Sequence, residues 1–505
     1  MDDENLGKGF YMIFNSIEFL LFFPIAVLGY YLIPHRVRYL WLLVCSYYFY
    51  MCWNPAYALL IFFSTAVTYI AALVMSALAG KKNEKFWKRC CLAGGFVLNL
   101  GILVWFKYAD FFLLNVGRIA QGIGIKWTPP QLDLLLPVGI SFYTFQALGY
   151  IMDVYRGETA AEKNFFKYAL FVSFFPQLVA GPIERSNNLL SQIQERHRFE
   201  FETVRDGLML MLWGYFLKMV IADRAAIFVD AVYAEEHLYG GWYLIIATML
   251  FALQIYCDFA GYSIIAMGAA RVMGFRLTDN FKSPYLAQTV ADFWRGWHIT
   301  LTGWFRDYLY IPLGGNRKGR VRQYVNIMIV FGLSGLWHGA SFSFIVWGLL
   351  NGFYQVMGKL LQPVRDKAVD VLQINRQAFS HRLYRMIATF LLVDFAWLFF
   401  RAGDLGEAVW SIKSMVRAGN IHVLFDGSLF MVGPDAKNFV VLALATGVLL
   451  FADYMKRRGI VLREWLCRQG VWFRWLCLYA GVCAVLLFGV YGVGYDETAF
   501  IYFQF

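Results

Sequence analysis

The sequence predicts an all-α polytopic membrane protein, with roughly 11–14 transmembrane or re-entrant helices around a central tunnel. Three observations predict this class. Hydrophobic residues make up 60% of the 505 residues and charged residues only 16%, whereas soluble globular chains carry about 25% charged residues. Nearly uncharged runs, some as long as a membrane is thick, recur along the chain. Because no Ser- or Gly-rich linker and no clear internal repeat divides the sequence, we expect residues 1–505 to form one integral membrane domain.

Apolar runs locate the predicted spans. The clearest runs are 19–33, 39–53, 57–79, 92–106, 242–257, 342–357, 439–452 and 475–494; two more, 208–222 and 386–400, each carry one charge, Lys218 and Asp394. Runs 135–151 and 165–181 contain Pro or Gly together with polar residues, so we expect them to be re-entrant or broken. Such irregular backbone at membrane depth requires burial in protein or a water-filled cavity.

The net charge of +11 points to a membrane surface rather than to nucleic acid, because the positive residues lie in short loops. Segments 81–89, 314–323 and 454–474 are the most basic, and the positive-inside rule makes all three cytoplasmic. The run 475–494 leaves the basic segment 454–474, so we expect the C-terminal segment of this multi-pass protein to lie on the outer face of the cell membrane.

The densest polar segment within the apolar sequence is 280–352, which contains two histidines beside tryptophans, His298 and His338. Ionisable side chains inside membrane proteins are expensive and raise a functional hypothesis. Forty residues separate the two histidines, so only the fold can bring them together.

His338 lies between Gly335 and Gly339, a spacing of small residues that lets a second helix approach closely. A desolvated imidazole stays neutral near physiological pH and can take a proton from a hydroxyl. From the residues alone, a core histidine bonded to a backbone carbonyl is the more common explanation. His298 has Arg295 close by in sequence, which favours a structural hydrogen-bonding role. The turn GGNRKG (314–319) suits either phosphate binding or a solvated cytoplasmic loop.

The block DFWRGWHITLTGWFRDYLYIPLGGNRKGR (292–320) resembles the signature of membrane-bound O-acyltransferases, specifically their bacterial alginate O-acetyltransferase-like branch. Further matching stretches are FNSIEFLLFFPIAVLGYYL (14–32), FFPQLVAGPIER (174–185), LQIYCDFAGYS (253–263), NFKSPY (280–285), LSGLWHGASFSFIVWGLLNG (333–352) and WLFFRA (397–402). The resemblance therefore runs along nearly the whole chain, in order.

The resemblance implies transfer of an acetyl group from a cytoplasmic thioester to hydroxyls of an extracytoplasmic polysaccharide or wall polymer. His338 matches the family's key catalytic histidine and His298 its second motif residue. Acetyl-CoA is the implied donor, with no permanently bound cofactor. A thioester is already activated, so we expect no metal site. Such systems often use an extracytoplasmic partner of the SGNH (Ser-His-Asp) type.

Five further residues match the family and are weaker candidates for a substrate tunnel. Asp258 lies in an apolar run and is read first as an intramembrane hydrogen-bond anchor and second as a catalytic acid. Gln177 precedes a Gly-Pro pair that breaks a helix, so it either lines the tunnel or belongs to a structural kink. Trp294, Trp297 and Trp337 are more often packing residues than substrate contacts.

Besides an inactive scaffold in an export complex, for which neither histidine would matter, two alternative functions remain open at this stage. D-alanylation of teichoic acid uses the same fold with a carrier-bound thioester, and ranks second because GGNRKG fits the acetyltransferase branch better. A lipid-linked sugar transporter is the alternative of a different class, since broken helices and a basic cytoplasmic face would suit it; the pair of histidines and the absence of a clear repeat disfavour it.

The segment FIYFQF (500–505) also has two interpretations. Aromatic side chains favour the membrane–water boundary and would anchor the segment there. Alternatively, Tyr502 receives the acyl group and passes it to a surface partner. A phenol suits such a relay because phenoxide, with a pKa of about 10, leaves more readily than an alkoxide.

Overall fold

The computed structural model describes residues 12–130, 132, 134, 136–491 and 500–501. Within these ranges the regular secondary structure is entirely helical. Six of the described helices are long and apolar enough to cross a membrane: Tyr57–Ala77, Glu84–Gly122, Trp242–Val272, Phe379–Arg401, Ala436–Arg457 and Val471–Phe488. The predicted all-α polytopic class is confirmed, while the predicted central tunnel stays a prediction.

The chain forms two compact units. The first comprises the described residues of 1–211, 263–278 and 496–504. It contains α1 (Ile17–Leu32), α2 (Arg38–Met51), α3 (Tyr57–Ala77), α4 (Glu84–Gly122), α5 (Ile140–Arg156), α6 (Phe165–Ser173), α7 (Phe175–Leu178) and α8 (Ser191–Gln194). Buried polar pairs join its helices: Ser64 of α3 donates to Asn99 of α4 at 2.5 Å, and the Tyr168 hydroxyl of α6 donates to Thr68 at 2.7 Å.

The second unit comprises the described residues of 212–262 and 279–495. The remaining helices are α9 (Phe201–Tyr215), α10 (Asp223–Ala234), α11 (Trp242–Val272), α12 (Val290–Gly296), α13 (Ile299–Phe305), α14 (Arg320–His338), α15 (Phe342–Leu360), α16 (Gln362–Val371), α17 (Phe379–Arg401), α18 (Leu405–Val416), α19 (Ala436–Arg457), α20 (Leu462–Cys467) and α21 (Val471–Phe488). Helices α9 and α11 contribute residues to both units. The prediction of a single domain stays a prediction.

Most predicted spans coincide with helices, but two helices run well beyond the apolar residues that predicted them. The run 92–106 lies inside α4, which has 39 residues, and the run 242–257 lies inside α11, which has 31. Neither helix contains a proline, so nothing removes a backbone donor and the hydrogen-bond ladder continues past the last apolar residue. Hydropathy therefore locates the part of a helix that is compatible with lipid, but it does not locate the residues at which the helix begins and ends.

The expected break in the run 165–181 is present. Helix α6 ends at Ser173 and the four-residue α7 begins at Phe175, with Pro176 in its first turn. Proline lacks a backbone N–H and is tolerated there. For the run 135–151 the expectation of a broken helix is wrong within the described residues: 136–139 are irregular, and from Ile140 the unbroken helix α5 continues through the rest of the run.

Candidate active site

His298 occupies the junction between α12 and α13, and its backbone is left-handed, with φ of +43°. Two backbone hydrogen bonds hold this junction against the segment 280–282: Lys282 N–H donates to the Gly296 carbonyl at 2.9 Å, and Ile299 N–H donates to the Asn280 carbonyl at 3.0 Å. A left-handed backbone costs a residue with a side chain roughly 1–2 kcal/mol. Such strain persists only where surrounding structure imposes it, and it clusters at functional sites.

The imidazole of His298 is completely buried. Its Nδ1 lies 3.1 Å from the Asn280 side-chain oxygen, and its ring meets Phe259 edge-to-face at a centroid distance of 4.7 Å. His298 lies outside the six candidate spans, and burial lowers its pKa to about 3. The ring is therefore neutral at physiological pH.

His338 is the last residue of α14 and is 3% exposed. Three aromatic rings meet its imidazole edge-to-face, with centroids at 4.8 Å for Trp337, 4.9 Å for Trp347 and 5.3 Å for Phe400. This apolar surrounding favours the uncharged imidazole, the form that can accept a proton.

Close helix packing brings Trp347 to His338, as the glycine spacing predicted. A Cβ atom added at Gly335 would lie 3.2 Å from Gly348 Cα and would overlap the Phe344 carbonyl. The backbones of α14 and α15 thus approach at a distance that only glycine permits.

The Trp337 indole contacts both histidines. Its ring lies 6.1 Å from His298 and 4.8 Å from His338, centroid to centroid. The fold therefore brings together two imidazoles separated by forty residues of sequence, and an indole is the side chain that links them.

The other two predicted tryptophans pack in the same region. Trp294 donates its indole N–H to Asn351 Oδ1 at 3.1 Å. Trp297 stacks on Phe293 with ring centroids 5.4 Å apart and meets Trp397 at 5.0 Å. Both indoles thus have well-defined packing partners, and their place along a substrate tunnel stays a prediction.

Asp258 takes part in a buried ion cluster. Lys218 Nζ lies 2.6 Å from Asp258 Oδ1 and 2.8 Å from Asp223 Oδ1, and all three side chains are less than 10% exposed. This arrangement agrees with the anchor interpretation of Asp258. Its partner was overlooked, although the sequence offers a signal: a lone cation in one apolar run and a lone anion in another tend to pair when both are buried.

The basic end of α19 holds the segment that carries Asn280. Ser283 donates its hydroxyl to Asp453 at 3.0 Å, Lys456 donates to the Phe281 carbonyl at 3.0 Å, and Arg457 donates to the Ser283 carbonyl at 3.3 Å. From the sequence these cations were expected only as part of a basic cytoplasmic segment. Two of them also stabilise the loop beside His298.

A buried side chain and two glycines with positive φ fix the conformation of the GGNRKG turn. Asn326, which is fully buried, donates to the Gly315 carbonyl at 3.2 Å. Gly314 and Gly315 both have positive φ, +110° and +52°, a conformation that glycine adopts readily. Arg317 and Lys318 are exposed, which agrees with either interpretation of the turn.

Two further predicted residues are Gln177 and Tyr502. Gln177 belongs to the first unit, where its amide donates to the Phe171 carbonyl at 3.1 Å; its role in a tunnel stays a prediction. Tyr502 lies outside the described residues. The two described residues of its segment, Phe500 and Ile501, are almost completely buried.

Comparisons with known proteins bear on these residues. Residues 160–393, which contain both histidines, match the sequence model of the membrane-bound O-acyltransferase family. The probable alginate O-acetylase AlgI of Pseudomonas syringae is 39% identical over 401 residues, covering 79% of this chain and 74% of the relative. The peptidoglycan O-acetyltransferase of Helicobacter pylori is 33% identical over 469 residues, covering 84% of each chain. The teichoic acid D-alanyltransferase of Bacillus subtilis is 27% identical over 237 residues, covering 44% of this chain and 58% of the relative.

Proposed function

Because the chain belongs to the membrane-bound O-acyltransferase family and is an acyltransferase, we propose that it moves an acetyl group from a cytoplasmic thioester to hydroxyls of an extracytoplasmic polysaccharide. Acetyl-CoA is the proposed donor. The identity of 33–39% to polysaccharide and peptidoglycan O-acetylating relatives over 79–84% of this chain supports acetyl as the acyl group and an envelope polymer as the acceptor.

In the proposed chemistry His338 accepts the proton of the acceptor hydroxyl. The acceptor oxygen attacks the thioester carbonyl, the hydroxyl proton passes to the neutral imidazole, and collapse of the tetrahedral intermediate breaks the carbon–sulfur bond. The same proton then neutralises the departing thiolate, so the imidazole ends the cycle neutral. A buried base of this kind contributes typically 10²–10⁴-fold to the rate.

The observation that carries this proposal is the contact of both imidazoles with the Trp337 indole. Two buried histidines in one aromatic cluster supply a proton acceptor and a second polar group while excluding water, which would otherwise hydrolyse the thioester. Lys218 and Asp258 pair with each other, and the proposal assigns them no step.

The exit of the acetyl group is proposed to run through Tyr502 to a surface partner of the SGNH type. The C-terminal segment must then face outward, as the charge distribution predicts. Burial of Phe500 and Ile501 supports a segment packed on protein rather than one that only lies at the lipid boundary. Replacing Tyr502 by Phe keeps the ring and deletes the hydroxyl, so unchanged polymer acetylation in Tyr502→Phe would exclude the relay.

D-alanyl transfer to teichoic acid is the second candidate. The D-alanyltransferase match covers 44% of this chain, about half the share covered by the acetylating relatives, so we rank it lower. Supplying the purified protein with carrier-bound D-alanine in place of acetyl-CoA distinguishes the two acyl groups directly.

The test supplies the purified full chain with radiolabelled acetyl-CoA, a surface partner of the SGNH type and a hydroxylated polysaccharide as acceptor. We expect label transfer by the wild type and loss of at least about 10²-fold in His338→Ala. The matched control is His422→Ala, because the His422 side chain is 69% exposed. Equal transfer by His338→Ala and wild type would reject the proposed role of His338.

In cells, export of unacetylated polymer at normal levels in His338→Ala would weigh against the transporter alternative.

A further inference from the structure

We propose that Asn280 is a positioning residue: its side-chain oxygen holds His298 as the tautomer protonated on Nδ1, so that Nε2 presents its lone pair to the reaction. This inference rests on the proposed function and assigns a protonation pattern to the second histidine of the same site.

The argument begins with Thr300. Its backbone N–H and its hydroxyl both lie within hydrogen-bond distance of Asn280 Oδ1, at 3.3 Å and 3.0 Å. A backbone N–H can only donate. The atom of Asn280 that faces Thr300 must therefore be the carbonyl oxygen of the amide rather than its NH₂ group, because the NH₂ group could not accept this bond.

The same oxygen lies 3.1 Å from His298 Nδ1. An amide oxygen accepts and never donates, so the hydrogen between these two atoms belongs to Nδ1. Since the buried imidazole is neutral, it carries one N–H only. That hydrogen is on Nδ1, and Nε2 consequently holds a lone pair able to accept a proton or a hydrogen bond.

The backbone keeps this geometry in place. Asn280 is 1% exposed, and its own carbonyl accepts the Ile299 N–H at 3.0 Å, directly beyond His298. The side-chain and backbone oxygens of one residue therefore bracket the histidine. The left-handed backbone at His298 is the conformation that lets Asn280 reach the ring and the following residue together.

The charged groups on neighbouring elements have other partners. On α11, Asp258 precedes Phe259 and pairs with Lys218. Behind the loop, Asp453 of α19 accepts hydrogen bonds from Tyr256 and Ser283. On α14 the titratable residue next to Trp337 is His338, at the end of the helix opposite to Arg320, Arg322 and Tyr324. Asn280 is thus the uncharged group that meets the His298 ring nitrogen, and a charge introduced there acts on His298 directly.

Two variants separate positioning from packing. Asn280→Asp keeps an oxygen acceptor of the same shape and adds a negative charge beside Nδ1–H, which raises the pKa of His298 by about 1–3 units. Asn280→Leu keeps the volume and removes the acceptor. The control is Ser283→Ala, which removes the hydroxyl that binds Asp453 from the same loop but removes no atom that contacts His298.

The first readout does not depend on activity. Hydrogen–deuterium exchange at the imidazole C2 carbon, followed by mass spectrometry of the peptide containing His298, reports the pKa of that ring. Between pH 4 and 9 we expect wild type and Ser283→Ala to stay on the alkaline plateau, whereas Asn280→Asp shows a midpoint inside this range. An unmoved midpoint in Asn280→Asp overturns the proposal.

The second readout is acetyl transfer against pH. With Nε2 acting through its lone pair, Asn280→Asp retains transfer at high pH and loses it as pH falls through the raised pKa of His298. If the working form instead carried its hydrogen on Nε2, transfer by Asn280→Asp would rise as pH falls, which also overturns the proposal. In Asn280→Leu we expect kcat to fall at least about 10-fold, with KM for acetyl-CoA within 2-fold of wild type.

The two proposals fail in different ways. A wild-type protein that transfers no acyl group overturns the proposed function, and the exchange midpoint then decides by itself whether Asn280 holds His298. Transfer that depends on His338 but shows no shift in Asn280→Asp overturns the tautomer assignment alone.

Discussion

Lys218 Nζ lies 2.6 Å from Asp258 Oδ1, and each of these side chains is only 2% exposed. The lysine sits in the π-helical turn Phe216–Ala222, which follows α9, and the aspartate sits in α11. Asp223, 2.8 Å from the same ammonium group, completes a cluster of one cation between two anions. Removing the cation leaves two buried carboxylates without it, which is far more costly than removing a surface ion pair.

We therefore expect Lys218→Met to lower the free energy of unfolding by about 3–5 kcal/mol. The double variant Lys218→Met/Asp258→Asn should recover part of this loss, because one uncompensated carboxylate is gone. Thermal unfolding of the protein in detergent measures both effects. The control Arg401→Gln removes the partner of the exposed Asp230 and should change stability much less; similar losses in the two single variants would contradict the special cost of the buried cluster.

The contact between α14 and α15 makes Gly335 sensitive to any side chain. A methyl group at Gly335 overlaps the Phe344 carbonyl, so Gly335→Ala should destabilise the protein by about 1–3 kcal/mol and reduce acetyl transfer by displacing the end of α14. Gly358→Ala in the same helix pair meets nothing within 4 Å and should be neutral or stabilising by up to about 1 kcal/mol. Equal melting temperatures for the two variants would show that the backbones can separate without cost.

Two tryptophans beside the histidines should differ in how much they contribute to the stability of the fold, and by which part of the side chain. Trp297 is 1% exposed and stacked, so Trp297→Ala should cost about 3–5 kcal/mol of stability. Trp294→Phe keeps most of the ring and loses the hydrogen bond to Asn351, which should cost about 1–3 kcal/mol, because the Asn351 oxygen loses this donor. Chemical denaturation of each variant measures these losses; the reverse order would mean that the indole N–H matters more than the ring volume.

Burial of His298 predicts a dependence of stability on pH. The folded pKa of about 3 lies below the ordinary value of 6.5, so the neutral ring favours folding above pH 6.5, and this stability is lost as pH falls toward the folded value. The slope is at most about 1.4 kcal/mol per pH unit. His298→Asn tolerates the left-handed backbone and does not titrate. Between pH 5 and 7.5 the free energy of unfolding should therefore depend less on pH in His298→Asn than in wild type. Equal slopes in the two proteins would show that the pH dependence does not come from His298.

The class of fold and most spans are readable from composition because lipid imposes a single local requirement: about 20 consecutive apolar residues. His298 and His338 could also be identified from the sequence as candidate site residues. The roles of Asn280, which contacts His298, and of Asp453, which accepts from Ser283, were not identifiable, because both look like ordinary residues in sequence and their contacts are with distant segments.

Local chemistry along the chain was enough to indicate a helical membrane protein, the break before Phe175, the close approach at Gly335 and two candidate histidines. Folding decided which polar groups meet: Asn280 with His298, Lys218 with Asp258, and Trp337 with both imidazoles. The physical reason is that a buried polar group must find a partner wherever the fold provides one, and the identity of that partner depends on long-range packing rather than on neighbours in sequence.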